Sequence, residues 1–313
     1  MALLGACATP LPVAEPDAVP AAVAPALSED QVDRVLADVE ATFAAADAVP
    51  SVDLLAPRVQ GPAATIRSAQ YALRAAGDAE AVTEVPADVQ TVIAPATDTW
   101  PRTIMVVTAA PADLRAPLLL TLVQDSPRAQ YRLWSWARLF PGVQVPATAK
   151  PTIGSPQVAV DSTALVATPT DVLAQYVDVL TSRDASPFAA LFAADPLRTA
   201  IAAQRDGWAA AVTDKGTLAE TYQALPDGLW SMGTADGGAI VVGSIQTVTT
   251  MTLADSTVTI GDTTAALLGK QTVSKNLAIT WLSVVAFAVP PAGSTDPITV
   301  IGAEHSPIQV TGE

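Results

Sequence analysis

From Ser28 onward the apolar residues Val32, Val35, Leu36, Val39 and Phe43 recur on one face of a 3.6-residue period, which predicts an amphipathic helix to about Asp47. Ser28-Glu29-Asp30-Gln31 has the form of a capping box, with Ser28 as N-cap and Gln31 reaching back from the third helical position. A second helix is predicted from Pro62, favourable at a first helical position, to Ala76, with Gly77 suited to end it. From Val89 to about Gln144 the texture becomes strand-like: Thr91–Ala96, Arg102–Ala109, Pro117–Gln124 and Arg128–Phe140, separated by Pro and Asp. Pro141, Pro146, Pro151 and Pro156 then fall at five-residue intervals and mark a linker. After Pro169 the helical pattern restarts. Asp171–Ser182 places Val172, Tyr176, Val179 and Leu180 on one side, and Phe188–Val212 reads as one or two further helices. The runs Leu218–Leu225, Ala239–Met251, Val258–Leu268, Leu277–Val289 and Ile298–Val310 read as strands, with Asp236-Gly237-Gly238 as a hairpin turn.

Helices followed by strands thus occur twice, which argues for an α+β fold rather than alternating α/β. The expected organisation is a tether over residues 1–27, a first α+β domain over 28–144, a Pro-rich linker over 145–164 and a second α+β domain over 165–313. Each of these two tandem domains is expected to pack helices on a curved antiparallel sheet. The element order over roughly 28–144 and 165–311 resembles the nuclear-transport-factor-2-like (cystatin-like) fold. Members of that fold include small-molecule enzymes and also pocket-bearing modules without catalysis, so the fold alone selects no activity.

Composition narrows the chemistry. The chain carries 62 alanines, only 15 aromatic residues, and 16 Lys+Arg against 31 Asp+Glu, for a formal net charge of −15. Such a polyanion repels phosphate backbones, which excludes nucleic acid as a partner. One cysteine and one histidine exclude a Cys/His zinc cluster, an internal disulfide and c-type haem, and no metal or other cofactor is expected. The chain contains no Gly-x-Ser-x-Gly elbow, Walker A loop, Gly-x-Gly-x-x-Gly or His-Glu-x-x-His.

The one cysteine is Cys7, and Leu4-Gly5-Ala6-Cys7 resembles the lipobox of bacterial lipoproteins, in which the cysteine carries the lipid. Five prolines between residues 8 and 27 (Pro10, Pro12, Pro16, Pro20, Pro25) suit a semi-rigid stalk behind it. Only Met1 to Ala6 precede the cysteine, less than a secretory signal requires, so the signal is taken as truncated. A single Asn (Asn276) and four Lys against twelve Arg are similar to GC-rich, actinobacterial composition. The resemblance implies an extracytoplasmic protein anchored to the cell membrane through a lipid on Cys7. No segment is long enough to span the bilayer, since Leu277–Val289 is too short and β-branched and reads as a buried strand.

Two constellations remain. With strand period two, Arg132, Trp134, Trp136 and Arg138 share one face, which suits an envelope protein or an anionic or apolar small ligand through stacking and cation–π contacts. The competing reading buries both tryptophans under the helices while the arginine stems reach solvent. His305 is the lone histidine, so Ser- or Cys-type catalysis would have to use it; its neighbours Ser306-Pro307 suggest a strand end or bulge. The leading expectation is a non-catalytic envelope lipoprotein that binds or scaffolds at the outer face of the membrane. A pocket-type carrier of a small apolar or lipid-like ligand is the alternative, and an enzyme using His305 the third.

Overall fold

The computed structural model describes residues 23–111 and 115–313, so Cys7 and nearly all of the tether lie outside the described residues. The helices are α1 (Glu29–Ala48), α2 (Gly61–Ala75), α3 (Pro169–Ser182), α4 (Pro196–Val212) and α5 (Asp262–Leu268). The strands of the N-terminal stretch are β1 (Val89–Ile93), β2 (Pro95–Ala96), β3 (Arg102–Thr108), β4 (Leu118–Gln124), β5 (Arg132–Leu139) and β6 (Ser155–Pro156). The C-terminal stretch adds β7 (Gly216–Ala224), β8 (Trp230–Gly233), β9 (Ala239–Leu253), β10 (Val258–Thr259), β11 (Thr272–Val273), β12 (Asn276–Val289) and β13 (Thr299–Gly312).

Local signals place the helices. At α1 the capping box forms in both directions: Ser28 Oγ accepts from the Gln31 backbone N–H at 3.4 Å, and Gln31 Oε1 accepts from the Ser28 N–H at 2.8 Å. Val32, Leu36, Val39 and Phe43 are buried as the period requires. The start of α4 is fixed by Asp195 as N-cap and Pro196 in the first turn. One expected strand is corrected. Val258–Leu268 pairs only at β10, and Asp262–Leu268 is helical because Gly261 leads into it and Gly269, with φ +80°, closes it.

Nine strands form one antiparallel sheet in the order β1-β3-β4-β5-β13-β12-β9-β7, with β8 also paired to β9. The two stretches expected to close as separate sheets therefore contribute to one. The junction is short: Gly302 pairs Leu139 and Ala303 pairs Arg138 across β13 and β5. A common core reinforces it, since Ile240, Val242, Leu282, Val284 and Ala286 pack with α1, α2 and β3–β5. On the other face of the same strands, Val241, Val285 and Phe287 pack under α3 and α4. The physical reason is that β12 is apolar at both odd and even positions, so a helical layer on one side leaves the other side still to be covered. Pro307 does not end β13. It lies beyond the two residues paired to β5, where a missing N–H costs no ladder bond on that side, and Ile308 is skipped in the register with β12.

A side chain at Gly302 would place its Cβ 2.7 Å from the Arg138 carbonyl oxygen and 3.0 Å from Leu139 Cα. Gly302→Val is expected to destabilise by about 1–3 kcal/mol through this overpacking. Gly207, inside α4 with open space around it, is the control: Gly207→Ala is expected to stabilise by about 0.5–1 kcal/mol. Chemical denaturation of both variants checks the pair, and a neutral Gly302→Val would show that the β5–β13 junction carries no stability.

Candidate functional site

The four residues of the Arg/Trp face do not meet on one exposed surface. Trp134 and Trp136 are both buried, and Trp136 Nε1 donates to Glu304 Oε2 at 3.1 Å while its ring meets Phe43 edge-on at 6.3 Å. Trp134 packs edge-on against Trp230 at 6.1 Å and is wedged against Gly61 and Gly228, where a Cβ would come within 2.7 and 2.5 Å of the indole. Both glycines have positive φ, so the backbone approaches the ring where a side chain would be strained as well as crowded. The period-two argument fails locally because the register with β4 skips Trp134, with Thr121 opposite Ser135 and Leu122 opposite Leu133. Arg132 pairs with Asp125 at 2.7 Å, and Arg138 Nη1 donates to the Ala116 carbonyl at 2.7 Å.

His305 lies directly opposite Ser283 in the β12–β13 ladder, on the face toward α4. Its Nδ1 is 2.8 Å from Ser283 Oγ, its Nε2 is 3.4 Å from Gln204 Oε1, and its ring stacks on Trp281 at 4.8 Å. Only a neutral ring donating from Nε2 to Gln204 can also accept at Nδ1 from the Ser283 hydroxyl. Burial lowers its pKa from the usual 6.5 to about 4. With Ser283 1% exposed, this serine–histidine contact sits within the packed sheet. Glu304, one residue earlier, projects to the opposite face, where burial raises its carboxyl pKa against the opposing pull of its bonds from Ser306 and Trp136.

A cleft lies between α3, α4 and β7, with a volume of about 400 Å³, a size typical of small-molecule sites. Val179, Leu180, Ile201 and Ala202 give it an apolar floor. Asp195, 6% exposed, organises one wall. Its Oδ1 accepts from the Arg198 backbone N–H at 2.8 Å and from Tyr176 Oη at 3.0 Å, and its Oδ2 accepts from Arg198 Nε at 2.7 Å. On the opposite wall Tyr222 Oη donates to Glu220 Oε2 at 2.8 Å, and Glu220 Oε1 accepts from Thr249 at 3.0 Å. Burial and these carboxylates push both phenols up, so they are hydrogen-bond donors at neutral pH. Arg183 stands at the rim with φ 54° and ψ −131°, a conformation that normally belongs to glycine.

Sequence reading missed this site. The Asp195-Pro196 cap signal was present, but nothing local announces that Tyr176, Tyr222 and Arg183 converge with it. The chemistry of the cleft is that of a receptor: an apolar floor, one phenol from Tyr222 and a rim where Arg183 and Arg198 balance Asp184 and Asp195, with Tyr176 buried behind Asp195. Among the described residues no group of three His, Cys, Asp or Glu side chains could hold a metal ion, and no helix is long and apolar enough to cross a membrane.

A mixed α+β protein with one large antiparallel sheet and five helices among its described residues is the class this architecture defines. The chain belongs to the family described as Domain of unknown function (DUF8094), whose model matches residues 23–312. No curated protein and no solved structure matches it.

The two neighbours on β13 give opposite pH signatures. His305 binds a proton in the unfolded chain below about pH 6.5 but in the folded protein only near pH 4, so its contribution falls as pH drops through that window. Glu304, with a raised folded pKa, favours the fold below the unfolded carboxylate pKa and loses that contribution as pH rises. His305→Gln is therefore expected to flatten the stability loss between pH 6.5 and 4. Glu304→Gln is expected to exceed the parent protein in stability at pH 7 and to converge with it near pH 4. Denaturation midpoints across pH 4–8 check both, and a destabilised Glu304→Gln at pH 7 would show that the ionised carboxylate is favoured in place.

Proposed function

We propose that this protein is a non-catalytic binding module of the bacterial cell envelope, held at the outer face of the membrane by a lipid on Cys7. In this reading the α3–α4 cleft receives a small, largely apolar ligand with one polar end. The observation that carries it is Arg183. A non-glycine residue in a glycine conformation costs about 1–3 kcal/mol, and this one stands at the mouth of an apolar cleft with its side chain about half exposed. The floor supplies burial for a short chain or ring, worth about 25 cal/mol per Å² of apolar surface removed from water. Arg183 and the paired Asp195–Arg198 wall supply orientation.

The enzyme reading is weaker because His305 is spent on Ser283, Gln204 and Trp281 and is a poor base with a pKa of about 4. In this reading the two α+β halves act as two lobes on a shared sheet, with the cleft in the C-terminal lobe. The acidic surface argues against direct adsorption to anionic lipid, which leaves anchoring to the acyl chains of Cys7.

Calorimetric titration of octanoate and octylamine into the whole chain tests the cleft. Saturable binding of one of them is expected, abolished by Ala202→Phe, which fills the floor. Arg183→Gly separates function from fold: relief of strain is expected to stabilise the protein by about 1 kcal/mol while ligand binding weakens. Binding that survives Ala202→Phe places the ligand elsewhere. For the anchor, the chain supplied with an export signal in an actinobacterial host is expected in the membrane fraction, and Cys7→Ser in the medium. Equal membrane retention of Cys7→Ser sinks the lipid anchor.

A further inference from the structure

A second concavity, of about 330 Å³, lies on the other side of the sheet, where the outer face of α1 meets the start of β3 and the approach to β5. Its lining includes Arg34, Arg58 and Arg102 against one carboxylate, Asp38. A local charge near +2 in a chain of net charge −15 is itself notable. Arg58 is committed: its Nη2 pairs with Asp38 and its Nη1 reaches the Tyr131 carbonyl at 3.4 Å. Arg34 is exposed and makes no ion pair among the described residues.

The other two groups are held in place without being satisfied. Arg102 lies with its guanidinium 3.9 Å from the Trp100 ring centroid. Trp100 is fixed in turn by its Nε1 donating to Gln124 Oε1 at 3.2 Å, and Gln124 Nε2 donates to the Ala129 carbonyl at 2.9 Å. Arg102 Nε is nevertheless buried with no acceptor among the described residues, and so is the hydroxyl of Tyr131, itself 5% exposed. Leaving a buried donor unsatisfied costs about 1–3 kcal/mol, more for a charged one. Both residues line one basic concavity, beside Arg34, a third cation with no ion pair among the described residues.

We infer that Arg34, Arg102 and Tyr131 form a cradle for the phosphomonoester group of a small molecule, with the Arg58–Asp38 pair as a fixed wall. A phosphomonoester carries a charge of about −1.5 to −2 at neutral pH and three strong acceptor oxygens. It matches both the local charge and the donor chemistry of the three side chains. A carboxylate has half the charge and would leave part of the set unmatched. Burial pushes the Tyr131 phenol up, so it remains a donor throughout the physiological range. The group could arrive on a soluble sugar phosphate or on a phosphorylated lipid headgroup, and both present the same dianion.

The test uses the whole chain. Titration with glucose 6-phosphate, with glucose as control, is run beside flotation with phosphatidylcholine vesicles with and without phosphatidic acid. The expected result is saturable binding of glucose 6-phosphate but not glucose. Tyr131→Phe and Arg34→Gln should each weaken it about tenfold or more, the equivalent of one charge-assisted hydrogen bond, while cooperative unfolding is retained. Tyr131→Phe removes only the unsatisfied hydroxyl, so a purely packing role would leave binding unchanged. Binding confined to phosphatidic acid vesicles, with the same sensitivity to both variants, assigns the headgroup as the source. No binding to either probe, or binding indifferent to both variants, overturns the cradle. Ala202→Phe, which fills the α3–α4 cleft, is expected to leave phosphate binding intact, so the two sites fail or succeed separately.

Discussion

The two-sided burial of β12 is the constraint on which every other layer rests. Leu282, Val284 and Ala286 point into the core under α1 and α2, while Val285, Phe287 and Val289 point into the core under α3. Because side chains alternate strictly along a strand, one strand can hold two cores only if nearly every residue is apolar. Its neighbour β9 repeats the arrangement, with Ile240 and Val242 on one face and Val241 and Ile245 on the other. A one-residue slip between these strands would exchange the two cores, so the twelve-pair ladder to β13 and the fourteen-pair ladder to β9 also fix where each helical layer sits.

Polar groups break this apolar rule at a few places, and each break is tied to the two-layer plan. Ser283 interrupts β12 and is matched across the ladder by His305, so the buried hydroxyl finds a partner within the sheet. Glu304 faces the other core and is met by Trp136 and Ser306. In the same layer Arg67, fully buried, lies over the Phe43 ring at 4.3 Å and donates to the Thr83 carbonyl at 2.7 Å. Its guanidinium thus finds a ring face and a carbonyl in place of a close carboxylate, with Asp47 at 3.6 Å. The two concave sites follow the same division: the apolar cleft belongs to the α3–α4 layer and the basic cradle to the α1 layer.

Much of the local structure was legible in the sequence. The Ser28–Gln31 box, the apolar face of α1, Pro62 and Gly77 around α2, and the long runs of β9, β12 and β13 carry signals that depend on neighbours a few residues away. Those signals act through backbone hydrogen bonding and helical or strand periodicity, which tertiary context here left standing. Where a local signal is ambiguous, tertiary packing decides. Val258–Leu268 has the apolar content of a strand, and only Gly261 and Gly269 at its ends betray the helix. Along β5 both tryptophans are buried, as one of the two sequence readings has it, but the bulge at Trp134 breaks strict alternation and takes Arg132 off the face of Trp136.

The sequence by itself determined the α+β class, the places where most helices begin, the acidic character of the chain and the central apolar strands, because each depends on composition or short-range periodicity. Only the tertiary structure decided that two helix-then-strand stretches share one sheet. That outcome turns on the close approach of Gly302 to Arg138, 164 residues away in the chain. It likewise decided both sites. Arg183, Asp195 and Tyr222 come from three separate elements, and Arg34, Arg102 and Tyr131 from three others, with no spacing rule linking any of them. A strand pairing fixes its own neighbours by local geometry, whereas a cavity exists only where several elements fail to fill the space between them, and that is a property of the assembled core.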